Sequence, residues 1–302
     1  MKSKIFSWIF LSFLLNNNKV IGQIINGRVI DSKTLNAACY STLEIKGKGI
    51  GWVTDSLGSF SIEIIKDKIS EYDTLLIRSL GYSSATVIVK NILTESSIEF
   101  KLNPLVFQLD SIIIRPKNNS ILKGVFVEKG DGYSGCREWL QKAVYMDNDE
   151  GIKAIVQNVS FFIPKDGKPK TPFRIRFYEV KEDGSPGEDL TRESIIVNAK
   201  KGGAWLKVDV SKYKIVVPKN GYFVAMEWIF TDKKYYYEIL ISDKKYVSYG
   251  QCLGRISNEG IIPNSWTYEL GNRWRKIDKT SKIQGKMIHY NQLINSEIKP
   301  IE

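Results

Sequence analysis

The chain has 302 residues, a length that suits two β domains better than one. Hydrophobic residues make up 43% and charged residues 25%, a balance typical of globular proteins that excludes an intrinsically disordered chain. The formal net charge is +11, but the lysines and arginines are scattered along the sequence. Scattered basic residues favour solvated loops over a nucleic-acid-binding surface.

The first 23 residues are expected to form a signal peptide. Residues 1–4 form a short basic segment. Residues 5–15 form an apolar run that is too short to span a bilayer, which needs about 20 apolar residues. Cleavage is expected near Gly22 or Gln23. It would remove three lysines and lower the net charge from +11 to +8. An uncleaved anchor is the alternative. The chain is therefore predicted to be exported, to the periplasm, the outer membrane or the cell surface. After cleavage it is predicted to have no transmembrane segment and no nucleic-acid partner.

Three cysteines, Cys39, Cys136 and Cys252, lie far apart in the sequence. Their spacing matches no Cys-x-x-Cys metal site, and their odd number reveals no disulfide framework. One pair can form in an oxidising compartment, and the sequence leaves open which pair that is.

Residues 24–115 are predicted to form a small β-sandwich. Apolar and polar residues alternate with period two in short runs, and glycine and aspartate turns separate these runs. After the third run, Asp55 is expected to accept hydrogen bonds from backbone N–H groups of its own turn, and Gly58 to adopt a positive φ. A calcium-ligand role is the alternative for Asp55. The predicted strands are residues 24–30, 40–46, 50–54, 60–64, 74–79, 85–89, 98–102 and 111–114.

The same residues resemble the carboxypeptidase regulatory-like domain. The resemblance implies a seven-strand, transthyretin-like sandwich of the kind common in exported Bacteroidetes proteins, with no catalytic residues of its own. One difference is that the family usually has a proline near Asn36-Ala37. The resemblance covers about the first third of the chain, and it rests on Gly27-Arg28-Val29-Ile30-Asp31, Ala38, Gly51-Trp52-Val53-Thr54-Asp55, Gly58, Phe60, Leu80-Gly81-Tyr82, Leu102-Asn103-Pro104 and residues 109–116.

Residues 116–120 read as a linker, residues 121–295 as a larger antiparallel sandwich and residues 296–302 as a tail. Residues 135–146 fit both a helix and a strand, and the surrounding β pattern favours a strand. In residues 173–178, the arginines Arg174 and Arg176 are expected to face outward. The second domain resembles a jelly-roll-like domain that accompanies the first module in Bacteroidetes proteins, through residues 176–178, 186–190, 205–210 and 223–228.

Catalytic motifs are not recognisable. His289 is the single histidine, and no nucleophile elbow or metal-binding spacing surrounds it. Hydrolysis by two carboxylates from distant strands remains open. Glu227 is the most unusual acid, because it lies in an apolar strand and, if it faces inward, needs a partner such as Arg174 or Arg176.

Two groups of residues are candidate binding sites. Exposed aromatic rings stack on sugars, and the candidate platform consists of Tyr235, Tyr236, Tyr237, Trp266 and Trp274, with Tyr268 beside the two tryptophans. Core positions are the alternative for these rings. The loop residues Asp183, Glu188 and Asp189 are candidate calcium ligands, although the glycine, serine and proline residues explain this loop without a metal.

The sequence thus predicts an all-β, non-enzymatic protein of the cell envelope that serves as an adaptor or binding module for a glycan or a protein. No cofactor is expected other than calcium in the acidic loop. A glycan- or peptide-directed hydrolase is one alternative, and an assembly or adhesion component with an open sheet edge is the other.

Overall fold

The computed structural model describes residues 23–301 except 66, 96, 106–118, 136, 242, 259–261, 278–280 and 284–285. Within these residues the protein is all-β, as predicted, and its helices are three single 3₁₀ turns, at Val89–Ile92, Ser211–Tyr213 and Lys233–Tyr235. No helix among them is long and apolar enough to cross a membrane. The predicted signal peptide, most of the linker and the predicted strand 111–114 lie outside the described residues.

The first sandwich contains seven strands among the described residues. Its two sheets have the strand orders β4-β1-β7 and β3-β2-β5-β6, and β1 pairs antiparallel with β4 and parallel with β7. The buried faces of both sheets form one apolar core. The strands are β1 (Gln23–Asp31), β2 (Thr42–Ile45), β3 (Ile50–Val53), β4 (Ser59–Ile64), β5 (Thr74–Arg78), β6 (Ala85–Ile88) and β7 (Ser97–Leu102).

The predicted turn after β3 is confirmed. Asp55 accepts hydrogen bonds from the backbone N–H groups of Leu57, at 2.8 Å, and Ser59, at 2.9 Å. Gly58 has a φ of 72°, in the region that glycine adopts without steric cost.

The second sandwich contains the remaining strands. They are β8 (Ile121–Gly124), β9 (Gly132–Gly135), β10 (Leu140–Met146), β11 (Ala154–Ile163), β12 (Phe173–Val180), β13 (Pro186–Asp189), β14 (Ile195–Val197), β15 (Ala204–Asp209), β16 (Tyr222–Glu227), β17 (Tyr236–Ile241), β18 (Lys244–Tyr249), β19 (Cys252–Asn258), β20 (Ser265–Glu269), β21 (Arg275–Lys276), β22 (Ser281–Ile283), β23 (Lys286–Gln292) and β24 (Ile294–Pro300).

Two of these sheets pack face to face around the main core. The seven-stranded sheet has the order β13-β12-β16-β10-β20-β21, with β14 also paired to β12, and the four-stranded sheet has the order β15-β11-β24-β8. Alternate residues such as Ile175 and Phe177 from β12 and Val159 and Phe161 from β11 fill the space between them. A sheet β22-β23-β19-β9 and the hairpin β17-β18 complete the domain.

Two elements can be compared with their predictions. Leu140–Met146 is a strand, in agreement with the favoured interpretation of the ambiguous segment. The predicted tail differs, because residues 296–300 belong to β24, which pairs with both β11 and β8 inside the four-stranded sheet. The buried side chains of Ile298 and Ser296 hold this strand in place.

The two sandwiches contact each other on both sides of a cleft. On one side, Gly81 of the first sandwich lies against the backbone carbonyl of Arg192. On the other side, Gly49 in the turn between β2 and β3 lies against Asn272, and Gly51 on β3 lies against Leu270. Between these contacts, the Nη2 group of Arg174 donates a hydrogen bond to the carbonyl of Tyr40 at 3.2 Å.

Candidate functional site

The cleft between the two sandwiches encloses about 1190 Å³ and is the larger of the two cavities described here. The first sandwich supplies one wall with β2, the end of β5 and the turn of residues 79–84. The outer face of the seven-stranded sheet supplies the floor, and the loop of residues 179–192 supplies the rim. Ligand sites in proteins lie preferentially at such junctions between domains.

Strand register arranges the floor as rows of side chains that cross β20, β10, β16 and β12. Because neighbouring residues on a strand point to opposite faces, every second residue of each strand enters the cleft side. The rows are Tyr268-Gln141-Glu227-Arg174, Trp266-Ala143-Ala225-Arg176 and, on three of the strands, Tyr145-Phe223-Tyr178.

A buried ion-pair network occupies one side of the floor. Glu227 is only 2% exposed, and Arg174 binds it through both nitrogens of its fork, at 2.7 and 3.1 Å. Arg176 binds the same carboxylate at 3.1 Å and also forms a two-point pair with Asp189 on the rim. Glu227 faces away from the main core, but it is buried under the first sandwich and pairs with both arginines that the sequence named as candidate partners.

Burial disfavours the charged form of Glu227, but the attraction of Arg174 and Arg176 outweighs burial and lowers the pKa of this carboxyl to about 2. Burial lowers the pKa of Arg176, but the attraction of Asp189, and then of other neighbours, outweighs burial and holds this pKa well above the usual value. At neutral pH the floor therefore carries fixed, mutually compensated charges.

The expectation that Arg174 and Arg176 face outward is half right. Both side chains point away from the main core, as alternation requires, but Arg174 is 1% exposed because the first sandwich covers it. Alternation within one strand cannot reveal that another domain covers its outer face.

A second polar cluster joins the first sandwich to the floor. Glu44 on β2 forms an ion pair with Arg78 on β5 and accepts a hydrogen bond at 3.0 Å from the hydroxyl of Tyr268 on β20. Burial, reinforced by Glu44, raises the pKa of Tyr268 above its usual range, so the phenol remains a donor.

Aromatic rings cover the middle of the floor. The small side chains of Ala143 and Ala225 leave space above the sheet, and the hydroxyl of Tyr178 donates a hydrogen bond to Gln141. Trp274 packs against Tyr178 and Tyr268, with ring centroids 5.4 Å apart in each pair.

The structure therefore brings two of the five predicted aromatic residues into the cleft. Trp266 and Trp274 are both partly buried and belong to the same apolar cluster, and Trp266 packs against Phe223. Tyr235, Tyr236 and Tyr237 do not line the cleft, and none of them is exposed. The candidate platform requires exposed rings, but each of these three is half-buried, and Tyr236 packs against Tyr249 and donates a hydrogen bond to Glu138.

The three predicted calcium ligands do not converge. Asp183 accepts hydrogen bonds from the backbone and the hydroxyl of Ser185, which closes its own turn, and Asp189 pairs with Arg176. Glu188 is exposed. Across the described part of the chain, no three acidic, histidine or cysteine side chains form a group that suits a metal ion.

Cys39, Cys252 and His289 do not line the cleft. Cys252 is disulfide-bonded, whereas Cys39 is free and donates to the carbonyl of Ser56. Cys136 lies outside the described residues. His289 lies on β23.

Sequence reasoning missed the first sandwich's share of the cleft and the role of Tyr178 and Gln141. One signal was present: Glu227 ends the otherwise apolar strand β16, and such a strand is buried on both faces. Because both faces of β16 are buried, something must cover its outer face, and the first sandwich does so.

No family model and no curated relative matches this chain. Among solved structures, it is similar to the cysteine protease and lectin-like domains of Cwp84, a surface layer associated protein of Clostridium difficile, with 11% identity and a TM-score of 0.39 over 93% of this chain and 59% of that chain. It is also similar to clostridial Cwp84 after propeptide cleavage, with 10% identity and a TM-score of 0.42 over 93% of this chain and 71% of that one. The chain thus spans about 59% of the length of the first of these structures. Identities and TM-scores this low establish neither a shared family nor a shared function.

Proposed function

We propose that this chain is a non-catalytic, carbohydrate-binding protein of the cell envelope and that the cleft between its sandwiches holds the glycan. The observation that carries the proposal is the combination of Trp266 and Trp274 with polar groups in one large cavity. Flat rings offer apolar faces to a sugar ring, while fixed donors and acceptors orient its hydroxyl groups.

The state of the carboxylates supports binding over hydrolysis. A glycoside hydrolase needs one carboxyl group that can donate a proton and a second carboxylate nearby. Glu227 remains ionised between two arginines, and both Glu44 and Asp189 are paired with arginines. Each of these three carboxylates is therefore engaged by arginine and is not left free in the cleft.

The charge balance favours a neutral glycan. Six cationic and five anionic side chains line the cleft, and Glu227 below Arg174 adds a sixth anion. An acidic sugar would have to compete with the ion pairs that Arg78, Arg174 and Arg176 already form. The basic charge of the whole chain therefore does not determine the ligand.

The cellular setting rests on the sequence. The apolar N-terminal run favours export. The resemblance of the first sandwich to the carboxypeptidase regulatory-like domain, and of the second to a jelly-roll-like domain, is consistent with an adaptor that presents the second sandwich at the envelope.

The test is a screen of the chain from residue 23 on an array of neutral and acidic glycans. We expect binding to neutral glycans, and we expect Trp274→Ala to weaken it by roughly tenfold or more, because buried aromatic anchors carry much of a binding energy. Tyr246→Ala, which truncates an exposed ring on the β17-β18 hairpin, is the matched control and is expected to have no effect.

The same screen is repeated with a chelator and is followed by analysis of the bound glycan. We expect binding to be unchanged by the chelator, because Asp183 and Asp189 already have partners. A blank array would overturn the glycan proposal and point to a protein partner, and shortened glycan chains would overturn the non-catalytic one.

A further inference from the structure

A second groove lies on the opposite face of the second sandwich. It encloses about 320 Å³ between the segment of residues 126–128 and the outer face of the four-stranded sheet. This volume is at the lower end of the roughly 300–1,000 Å³ typical of small-molecule sites. Its lining consists of Phe126, Val127, Glu128, Ser160, Trp205 and Asn295.

The indole of Trp205 is held rigidly in this groove. Its Nε1–H group donates to the backbone carbonyls of Val127, at 3.0 Å, and Glu128, at 3.2 Å. Its ring packs edge-on against Phe162, with centroids 5.7 Å apart. A ring fixed in this way loses little conformational freedom when a ligand stacks on it.

Polar groups with unused hydrogen-bonding capacity lie beside the indole. Strand register places Ser160 opposite Asn295 on β24. Within the described residues, the hydroxyl of Ser160 has no protein partner, and Asn295 makes only a long contact of 3.4 Å, from its Nδ2 group to the carbonyl of Val125. Together they offer a hydroxyl and an amide, the groups that bind neighbouring hydroxyls of a pyranose.

The charged side chains next along the sheet are already paired. Glu297 accepts hydrogen bonds from Lys207 at 2.7 Å and from Asn158 at 2.9 Å. These contacts compensate the charges of Glu297 and Lys207, and the charged side chain in the groove lining, Glu128, is exposed to solvent and disfavours an anion, so a neutral ligand is favoured here as well.

We propose that the groove beside Trp205 is a second saccharide site, with room for a single neutral hexose unit that stacks on the indole and binds Ser160 and Asn295. The four-stranded and seven-stranded sheets share the main core through their inner faces, so this site and the cleft face in opposite directions. A protein with both sites can bridge two glycan chains.

The test uses the chain labelled with 5-fluorotryptophan, because each site then carries its own ¹⁹F reporter. The Trp205 and Trp274 resonances are assigned with Trp205→Phe and Trp274→Phe. The probes are the methyl glycosides of glucose, galactose, mannose and N-acetylglucosamine. We expect at least one probe to shift the Trp205 resonance in a saturable way, and Ser160→Ala with Asn295→Ala to weaken this titration about tenfold, since each lost hydrogen bond contributes modestly.

The control is Leu122→Ala, which truncates an exposed side chain on the same sheet face outside the groove. It is expected to leave the titration unchanged. A Trp205 resonance that no probe shifts overturns this second site, even if the Trp274 resonance responds and supports the cleft. A Trp205 response without a Trp274 response supports the second site and counts against the cleft.

Discussion

At the scale of single residues, the pairing of Glu227 with two arginines dominates the floor of the cleft. Removing one partner of a buried ion pair leaves the other charge without compensation. We expect Glu227→Gln to lower the free energy of unfolding by about 3–5 kcal/mol, measured by urea denaturation.

The control for this substitution is Glu238→Gln. Glu238 pairs with Lys245 on the β17-β18 hairpin, and its side chain is 64% exposed. We expect a loss of less than about 1 kcal/mol, as for other exposed pairs. Equal losses for the two variants would show that the Glu227 network does not stabilise the fold.

The low pKa of Glu227 also predicts how stability depends on pH. The folded-state pKa of about 2 lies below the reference value of 4.5, so the contribution of this carboxylate is complete above about pH 4.5 and is lost as the pH falls toward about 2. We therefore expect the difference in unfolding free energy between the native chain and Glu227→Gln to shrink across that window. Urea titrations at successive pH values measure it, and a constant difference would contradict the assigned pKa.

At the scale of elements, the turn after β5 sets how closely the sandwiches approach each other. Gly81 has a φ of 84°, and a Cβ there would lie 2.7 Å from the carbonyl oxygen of Arg192. Gly47 has a similar φ of 75° but no atom within 4 Å of the equivalent position. An alanine at either site has the same backbone strain of roughly 1–2 kcal/mol, but only Gly81→Ala also pushes against the second sandwich.

We expect Gly81→Ala to reduce glycan affinity in the cleft and to destabilise the chain more than Gly47→Ala does. Isothermal titration with a neutral glycan from the array and urea denaturation measure the two effects. Indistinguishable variants would mean that the Gly81 contact does not shape the cleft.

Individual elements also show how much of the structure the sequence predicts. Period-two alternation predicted the all-β class and most strands of the first sandwich, because alternation reports one buried and one open face directly. Closeness in sequence grouped Trp266, Tyr268 and Trp274, and all three line the cleft. Alternation did not place Tyr236, whose packing partner Tyr249 comes from the facing strand of a hairpin that was not predicted.

At the scale of the whole molecule, the cleft could not be predicted from the sequence either. Its wall comes from β2 and β5 and its floor from β10, β12, β16 and β20, and residues so far apart in sequence meet only through the packing of two domains. A single sequence contains no pairing information between Glu44 and Tyr268. The arginine pairing of Glu227 could be predicted because buried carboxylates need compensation and because arginines lie on the neighbouring strand.

The effect of salt distinguishes ligand binding that depends on the net charge of the molecule from binding that depends on the cleft alone. If the net charge of the chain from residue 23, which is +8 without the three N-terminal lysines, attracted the ligand, affinity would fall steeply with salt, because exposed charges more than a Debye length apart are largely screened. Arg78, Arg174 and Arg176 in the cleft are paired with carboxylates, so a neutral glycan gains little from their charges. We expect the Kd for a neutral glycan to change less than about threefold when NaCl rises from about 0.1 M to about 1 M, which shortens the Debye length from about 10 Å to about 3 Å.

Titration at both salt concentrations measures this change. Heparin is the comparison ligand, because it is a polyanion that binds basic surfaces, and it is expected to lose its affinity. A neutral glycan as salt-sensitive as heparin would mean that the surface charge, and not the paired floor of the cleft, holds the ligand.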